Sequence, residues 1–351
     1  MLRISIVGLA QVGKTTLFRI LTHAHGSKLS SGKQEAHVGV VRVPDARLDR
    51  LTEMYHPLKT VYANIEYVDT PGSVIEIART GLQMASLREM DALAHVVRAF
   101  GDASPQADIE NVELELILSD LSVVEKRLAR LEKDLKKQKI PALEKEFQVL
   151  QASKAALEKQ TPLREVVRSA EEERIVRGFT FLSSKPMLYV LNLGENDVAR
   201  ANAADEFAAG AGLKQRPRTA VTAVCGQVEA ELAELGDAEA GEFLASYGLK
   251  EPGAARLIRS SYHLLGLICF FTVGEDECRA WTIRSGSTAL EAAGEIHSDL
   301  QKGFIRAEVV KYDDLIATGS LAEARTRALL RLEGKEYVVN DGEVVHFRHS
   351  G

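Results

Sequence analysis

A short stretch near the start of the chain has the residue types and spacing to cradle a phosphate. Gly8-Leu9-Ala10-Gln11-Val12-Gly13-Lys14-Thr15 matches G-x-x-x-x-G-K-[ST]. Gly8 and Gly13 let the backbone adopt positive φ and bring its N–H groups close to phosphate oxygens. Lys14 supplies a point charge for the β- and γ-phosphates, and the Thr15 hydroxyl can ligate Mg²⁺. Gln11, Val12 and Thr16 stand beside them as further candidate contacts. A second candidate follows about fifty residues on, where Asp69-Thr70-Pro71-Gly72 places a carboxylate for a second Mg²⁺ contact. Together these residues point to a nucleoside triphosphate site.

Such a loop needs a strand before it and a helix after it. Ile4 to Val7 is a short apolar strand, and a helix is expected from Lys14 to Thr22, its dipole aimed at the phosphates. His23 to His37 is polar and reads as a mobile loop. Val38 to Val43 reads as a strand stopped by Pro44, and Ala46 to Met54 as a helix capped by Asp45. Ala63 to Val68 is a strand that delivers Asp69 at its carboxyl end. Asp91 to Phe100 is another buried strand, in which His95 is expected to be a satisfied core residue rather than a catalyst. Further strands are Met187 to Asn192 and Arg218 to Cys225, with a helix around Val228 to Leu235 and helical segments onward to Leu267.

Between these strands the period changes. Leu114, Ile117, Leu121, Val124, Leu128, Leu131 and Leu135 alternate three and four residues apart, the seam of a coiled coil. Pro141 suits the first turn of a second helix carrying Leu143, Phe147, Leu150 and Leu157, so an antiparallel hairpin is expected. Its distal part is basic: Lys126, Arg127, Arg130, Lys133, Lys136, Lys137 and Lys139 oppose only Glu125, Glu132 and Asp134. That run is either a solvated face or an RNA-binding tip. Beyond Glu277 the texture is that of a separate small α+β unit. It has strands at Cys278 to Ile283 and Phe304 to Val310, and a helix from Thr288 to Lys302. A hairpin from Tyr337 to Phe347 would turn at Asp341-Gly342.

With 351 residues, roughly two or three domains are expected. The composition, 45% hydrophobic and 27% charged, is that of a globular protein. No apolar run is long enough for a membrane span, and the segment after Arg3 is too short for a cleaved signal. Cys225, Cys269 and Cys278 lack metal-ligand spacing and fit free thiols in a reducing cytoplasm. A net charge of −6 argues against a chain that coats nucleic acid along its whole surface.

The order of these motifs resembles the Obg-like ATPase (YchF) family of translation-factor-related P-loop GTPases, over nearly the whole chain. The resemblance rests on Gly8 to Phe18, Val38 to Val41 with Val43-Pro44-Asp45 and Arg47-Leu48, and Asp91 to Phe100. It continues through Leu114 to Leu131, Lys185 to Asn192, Glu229 to Leu235, Leu264 to Leu267, Arg279 to Ile283, Lys302 to Glu308 and Asp341-Gly342. It implies an α/β fold: a P-loop GTPase-type domain with an inserted antiparallel helical hairpin and a C-terminal β-grasp (TGS) domain. The corresponding segments are 1–110 and 177–270 for the nucleotide-binding domain, 111–176 for the hairpin and 271–351 for the TGS domain. It also implies an ATP-preferring nucleotide switch that associates with ribosomes.

Guanine-specific relatives read the base with Asn-Lys-x-Asp, whereas Asn192-Leu193-Gly194-Glu195 resembles the Asn-x-x-Glu of Obg-like ATPases. Asn192, Leu193, Glu195 and Gly226 are therefore the candidate base contacts, with Thr15 and Asp69 at Mg²⁺. Several residues depart from the family pattern. Lys33 stands where a switch threonine is usual, and Ser73 follows Asp69 to Gly72 where the family has an apolar residue. The glycine-rich loop after it is shortened, and the loop Gly101 to Asp108 is short and lacks the family's histidine. Cys225-Gly226-Gln227 replaces a Ser/Cys-Ala-Lys. The expected function is a Mg²⁺-dependent purine nucleotide switch that slowly hydrolyses ATP (or GTP) and associates with ribosomes or RNA through the basic hairpin and the TGS domain. The alternative is a nucleotide-sensing module without significant turnover. No residue stands out from the sequence as a general base.

Overall fold

The computed structural model describes residues 2–23, 36–80, 84–213 and 216–350. Lys33 and most of the loop expected over His23 to His37 lie outside the described residues, as does part of the shortened glycine-rich loop. The chain divides into two compact units: residues 1–41 with 66–264, and residues 42–65 with 265–351.

The chain opens with β1 (Arg3–Val7), α1 (Lys14–His23), β2 (His37–Arg42), α2 (Ala46–Tyr55), β3 (Lys59–Val61), β4 (Asn64–Asp69), α3 (Val74–Thr80), α4 (Met84–Arg88) and β5 (Ala92–Ala99). There follow α5 (Pro105–Lys137), α6 (Pro141–Glu158), α7 (Ala170–Arg177), β6 (Met187–Leu193), α8 (Ala204–Gly210), β7 (Thr219–Val224), α9 (Gly226–Leu232), α10 (Asp237–Ser246) and α11 (Gly253–Leu264). The last part comprises β8 (Leu267–Thr272), β9 (Glu277–Arg284), α12 (Ala289–Ile296), α13 (Ser298–Lys302), β10 (Phe304–Lys311), α14 (Tyr312–Thr318), α15 (Leu321–Thr326), β11 (Arg331–Glu333) and β12 (Glu343–His349).

The first unit is built on a sheet of order β2-β4-β1-β5-β6-β7. β4, β1, β5, β6 and β7 pair in parallel. β5 and β6 read as nearly unbroken apolar runs because helices cover both faces of such a sheet. The register sets Ile6 beside Asp69, Val7 beside His95, and Asn192 beside Val224. The carboxyl ends of β1, β4, β6 and β7 thus share one edge, where open parallel sheets bind ligands.

The long helix α5 serves two cores. Ile109, Val112 and Leu116 are buried in the core that covers the sheet, with Leu93, Val97, Tyr189 and Leu191. Ile117, Val124, Leu128 and Leu131 pack instead with Val149, Leu150 and Leu157 of α6. A single seam from Leu114 is therefore not what forms: Leu114 is 37% exposed, because the buried stripe switches faces where α5 leaves the sheet. Pro141 opens α6 as expected, and Arg127 binds Glu146 at 2.7 and 2.8 Å while Lys154 reaches Glu125, so α6 runs back along α5.

His95 differs from its expectation. It is fully buried, yet among the described residues neither ring nitrogen has a hydrogen-bond partner, so it is a core residue but not a satisfied one. Its ring instead packs near that of Tyr189, centroids 5.8 Å apart.

The second unit holds a mixed sheet of order β11-β10-β12-β8-β9-β3. α2 begins as expected, with the Asp45 side chain accepting from the Arg47 amide. The expected helix from Thr288 to Lys302 is two helices, broken at the extended residue His297. The expected hairpin at Asp341-Gly342 does not form. β12 pairs antiparallel with β10 and parallel with β8, while Tyr337 to Asn340 contributes only an isolated bridge between Val338 and Thr288. The turn is captured by β8: Asp341 accepts from the Cys269 amide at 2.9 Å and Gly342 donates to the Cys269 carbonyl at 2.8 Å.

Candidate functional site

β1 ends at Val7, and the loop from Gly8 to Gly13 turns the chain into α1. Gly8 takes φ 151° and Gly13 φ 96°. A Cβ on Gly8 would stand 2.6 Å from the Val96 carbonyl, and one on Gly13 would stand 2.5 Å from the Asn192 amide nitrogen. Glycine is thus required twice, for conformation and for space. Gly8 lets the loop lie against β5, and Gly13 lets it lie against the end of β6.

The loop and the turn after β4 enclose a cavity of about 350 Å³. Gln11, Gly13, Lys14, Thr15 and Thr16 line one wall, and Asp69 to Ser73 with Glu76 line the other. Thr15 donates its hydroxyl to Asp69 at 2.9 Å, joining the two expected metal ligands. Asp69 is 3% exposed, and its second carboxylate oxygen has no hydrogen-bond partner among the described residues. Lys14 Nζ folds back onto the Leu9 carbonyl at 2.6 Å and the Gly8 carbonyl at 3.4 Å. Burial lowers the Lys14 pKa, opposed by the charges of Asp69 and Glu76. Val12 is buried and contributes its carbonyl, which accepts from Asn192 at 3.0 Å.

The expected base contacts lie where β6 and β7 finish. The Asn192 amide ties three segments together, donating to Val12 and accepting from the Gly226 amide at 3.1 Å. Glu195 is held at both oxygens, by the Gln227 side chain and by the Tyr247 hydroxyl, each at 3.1 Å. Donating to Glu195 raises the pKa of Tyr247. Leu193, expected beside the base, lies elsewhere. Alternate strand residues face opposite ways, and Leu193 joins Leu191 in lining a separate cavity of about 550 Å³ with Ala99, Pro105 and Phe207. The remaining sequence candidates gather at the carboxyl edge of the sheet.

Two residues that the sequence did not single out belong to this region. Glu76 reaches the phosphate cavity through a reciprocal contact: it accepts from the Ser73 amide at 2.8 Å, and its own amide donates to Ser73 Oγ at 3.2 Å. Ser-x-x-Glu after Asp69 to Gly72 was a readable capping signal for this placement. Tyr247 comes from α10's end, far along the chain from Glu195, and no local pattern announces it.

Comparison with known proteins matches two stretches of the chain. Residues 3–145 match the family described as 50S ribosome-binding GTPase. Residues 267–350 match the C-terminal family of YchF-type GTPases, described as protein of unknown function. The Ribosome-binding ATPase YchF of Bacillus subtilis is 43% identical, covering 98% of both chains. That of Escherichia coli O157:H7 is 39% identical over 97% of both. The solved structure of the Schizosaccharomyces pombe YchF GTPase aligns with a TM-score of 0.83 at 28% identity, over 99% of this chain and 97% of that one. With near-complete coverage at such identity, this chain belongs to the YchF family.

Proposed function

We propose that this chain binds a purine nucleoside triphosphate with Mg²⁺, hydrolyses it slowly with preference for ATP, and uses the nucleotide state to control docking on the ribosome. The observation that carries the reading is the phosphate cavity, in which a glycine loop, Lys14 and the Thr15–Asp69 pair converge. Family membership supports it, since the similar chains of Bacillus subtilis and Escherichia coli O157:H7 bear the name ribosome-binding ATPase.

The residues fit a magnesium ion. The unpartnered Asp69 oxygen is a buried acceptor of the hard type that Mg²⁺ favours, and Thr15 stands at the other oxygen. Bound there, the metal neutralises charge on the phosphate oxygens. Lys14 would exchange its two loop carbonyls for the β- and γ-phosphates, a stronger charge-assisted contact. Gly8 and Gly13 keep the loop amides open to those oxygens. Asn192, Glu195 and Gly226 shape the base end.

The arm formed by α5 and α6 supplies a surface for ribosomal RNA. Lys126, Arg130, Lys133, Lys136, Lys137 and Lys139 are exposed, whereas Arg127 is committed to Glu146. The C-terminal sheet, read as a TGS module, is the second ribosome-facing element. A ribosome-docking switch of this kind would act in the cytoplasm.

Calorimetric titration with ATP, GTP and non-hydrolysable analogues, with and without Mg²⁺, followed by phosphate release from the same preparation, tests the reading. Binding that needs Mg²⁺ and favours ATP is expected, with slow release of phosphate. Binding without release would leave a nucleotide-sensing module, and no binding would end the proposal. For the arm, changing Lys133, Lys136, Lys137 and Lys139 together to glutamate should weaken ribosome co-sedimentation and leave nucleotide affinity unchanged.

A further inference from the structure

The phosphate cavity contains more acceptor chemistry than phosphate binding requires. Thr70 is engaged with Ser5, hydroxyl to hydroxyl at 3.0 Å, and the Ser73 hydroxyl accepts from the Glu76 amide. Asp69 is 3% exposed and receives the Thr15 hydroxyl. Glu76 is the other carboxylate that lines the cavity, and unlike Asp69 it is exposed to it. Its Oε2 lies 3.2 Å from where a Cβ on Gly72 would stand, and Gly72 has φ 89°. A side chain at residue 72 would therefore be strained and would crowd this carboxylate. Glu76 thus lines the cavity together with Lys14, and its charge acts on that ammonium.

We propose that Glu76 is the catalytic base of the site: it accepts a proton from the water that attacks the terminal phosphate of ATP. The inference rests on the nucleotide reading above. A triphosphate held by the loop and Lys14 would have its terminal phosphate in the cavity that Glu76 lines. In the step, the water oxygen forms the new bond to phosphorus as the bond to the β-phosphate oxygen breaks. The electron pair leaves on ADP, and one water proton passes to the Glu76 carboxylate and from there to the phosphate product or solvent. A carboxylate can serve this role through direct contact or one intervening water, and contacts of this kind tighten when the nucleotide binds.

The competing explanation is local. Glu76 and Ser73 form the reciprocal contacts of a capping box at the start of α3, and a cap needs only an acceptor. Glu76→Gln separates the two, because glutamine keeps the acceptor for the Ser73 amide but cannot take the proton. Single-turnover phosphate release, read against affinity for a non-hydrolysable ATP analogue, is the measurement. The expected result is release slowed by roughly 100-fold or more with analogue affinity within about twofold of wild type. The acidic limb of the wild-type pH–rate profile should also disappear. Glu76→Asp, which keeps a titrating carboxylate one carbon shorter, should recover part of the rate and restore that limb. Wild-type release from Glu76→Gln would overturn the proposal and leave the cap as the whole role. A wild-type chain that binds the analogue and never releases phosphate would also overturn it. Failure to bind the analogue at all would overturn the nucleotide reading itself, so the two failures are told apart by the binding measurement.

Discussion

At the phosphate end of the site, shape comes from backbone: Gly8 and Gly13 at positive φ, pressed against Val96 and Asn192, with Thr15 and Asp69 joined across the cavity. At the base end, shape comes from side chains drawn from separate segments: Asn192 bonds the Val12 carbonyl and the Gly226 amide, and Glu195 is held by Gln227 and Tyr247, each at 3.1 Å or less. The first construction admits few substitutions, because an added Cβ collides with main chain or with a buried amide. The second can be retuned one side chain at a time. A family can thus keep phosphate binding fixed while base preference and signalling drift. The two ends meet where the Asn192 amide lies against the Val12 carbonyl and Gly13.

The largest expected effect tests the phosphate end alone. Among the described residues Lys14 Nζ hydrogen-bonds carbonyls of its own loop, so Lys14→Ala should leave the fold intact. It should weaken ATP binding by ~100-fold or more, about 3 kcal/mol, as expected for losing a charged hydrogen-bond partner. Isothermal titration on a variant with an unchanged melting temperature checks this, and undiminished affinity would remove the phosphate site from the account.

Gly13→Ala strikes the joint between the ends. The added methyl would meet Asn192 at 2.5 Å in a backbone conformation unsuited to alanine. Strain of this kind costs roughly 1–3 kcal/mol. Affinity for both ATP and GTP should fall together, by about 10- to 100-fold. A loss confined to one nucleotide would show that the ends are not mechanically joined.

The legibility of the site divides along the same line. Gly8 to Thr15 can be read from sequence because backbone conformations of this kind have fixed residue requirements and fixed spacing. β5 and β6 were legible because buried parallel strands are nearly continuous apolar runs, and β1, β4 and β7 because short strings rich in Ile, Val, Tyr and Thr run into turn residues. What escaped was set by partners distant in sequence. The turn at Asp341-Gly342 has a strong hairpin signal, but Cys269 captures it. β8 was hidden because its apolar residues follow a helix without a break in hydrophobicity. Leu114 fits the heptad yet stays exposed, since α5 buries a different face against the sheet. Tyr247 has no local signature, because its role exists only once α10 is placed beside Glu195.

Behind the phosphate end, His95 gives a prediction about acid stability. A Cβ on Gly8 would lie 3.6 Å from its ring, so the loop rests on it. Burial, followed by the charges of Lys14 and Arg164, lowers the His95 pKa to about 3. The unfolded chain therefore binds more protons than the folded one between pH 6.5 and about 3. Stability is fully present above pH 6.5 and falls as pH drops, by roughly 1.4 kcal/mol for each unit. Replacing His95 with phenylalanine breaks no hydrogen bond, since neither ring nitrogen makes one. Denaturant melts at pH 7 and pH 5 should show a loss in the wild type that is about 2 kcal/mol larger than in His95→Phe. Equal losses would mean that His95 does not remain neutral in the fold.

The smallest expected effect concerns base preference, and it belongs to the end made of side chains. A guanine site gains from an aspartate that accepts from N1–H and the N2 amine together, a match that is worth roughly 1–3 kcal/mol when buried. Here the carboxylate belongs to Glu195, one methylene longer, and Gln227 and Tyr247 already donate to its two oxygens. Turning it toward guanine would break those contacts. Adenine offers neither donor and loses nothing, so ATP should bind at least as tightly as GTP. Leu193 contributes little, because it lines the cavity on the other side of β6. Combining Glu195→Asp with Tyr247→Phe shortens the carboxylate and frees it from the hydroxyl. That double variant should shift the ATP-to-GTP affinity ratio toward GTP by about 5- to 10-fold, near 1 kcal/mol. Tyr247→Phe alone should move it less than about threefold, since Gln227 still holds Glu195. Titration of each variant with both nucleotides reads the ratio directly. A wild-type chain that binds GTP tenfold more tightly than ATP would show that the Glu195 clamp does not set the base preference, and the contrast between a fixed phosphate end and a tunable base end would lose its second half.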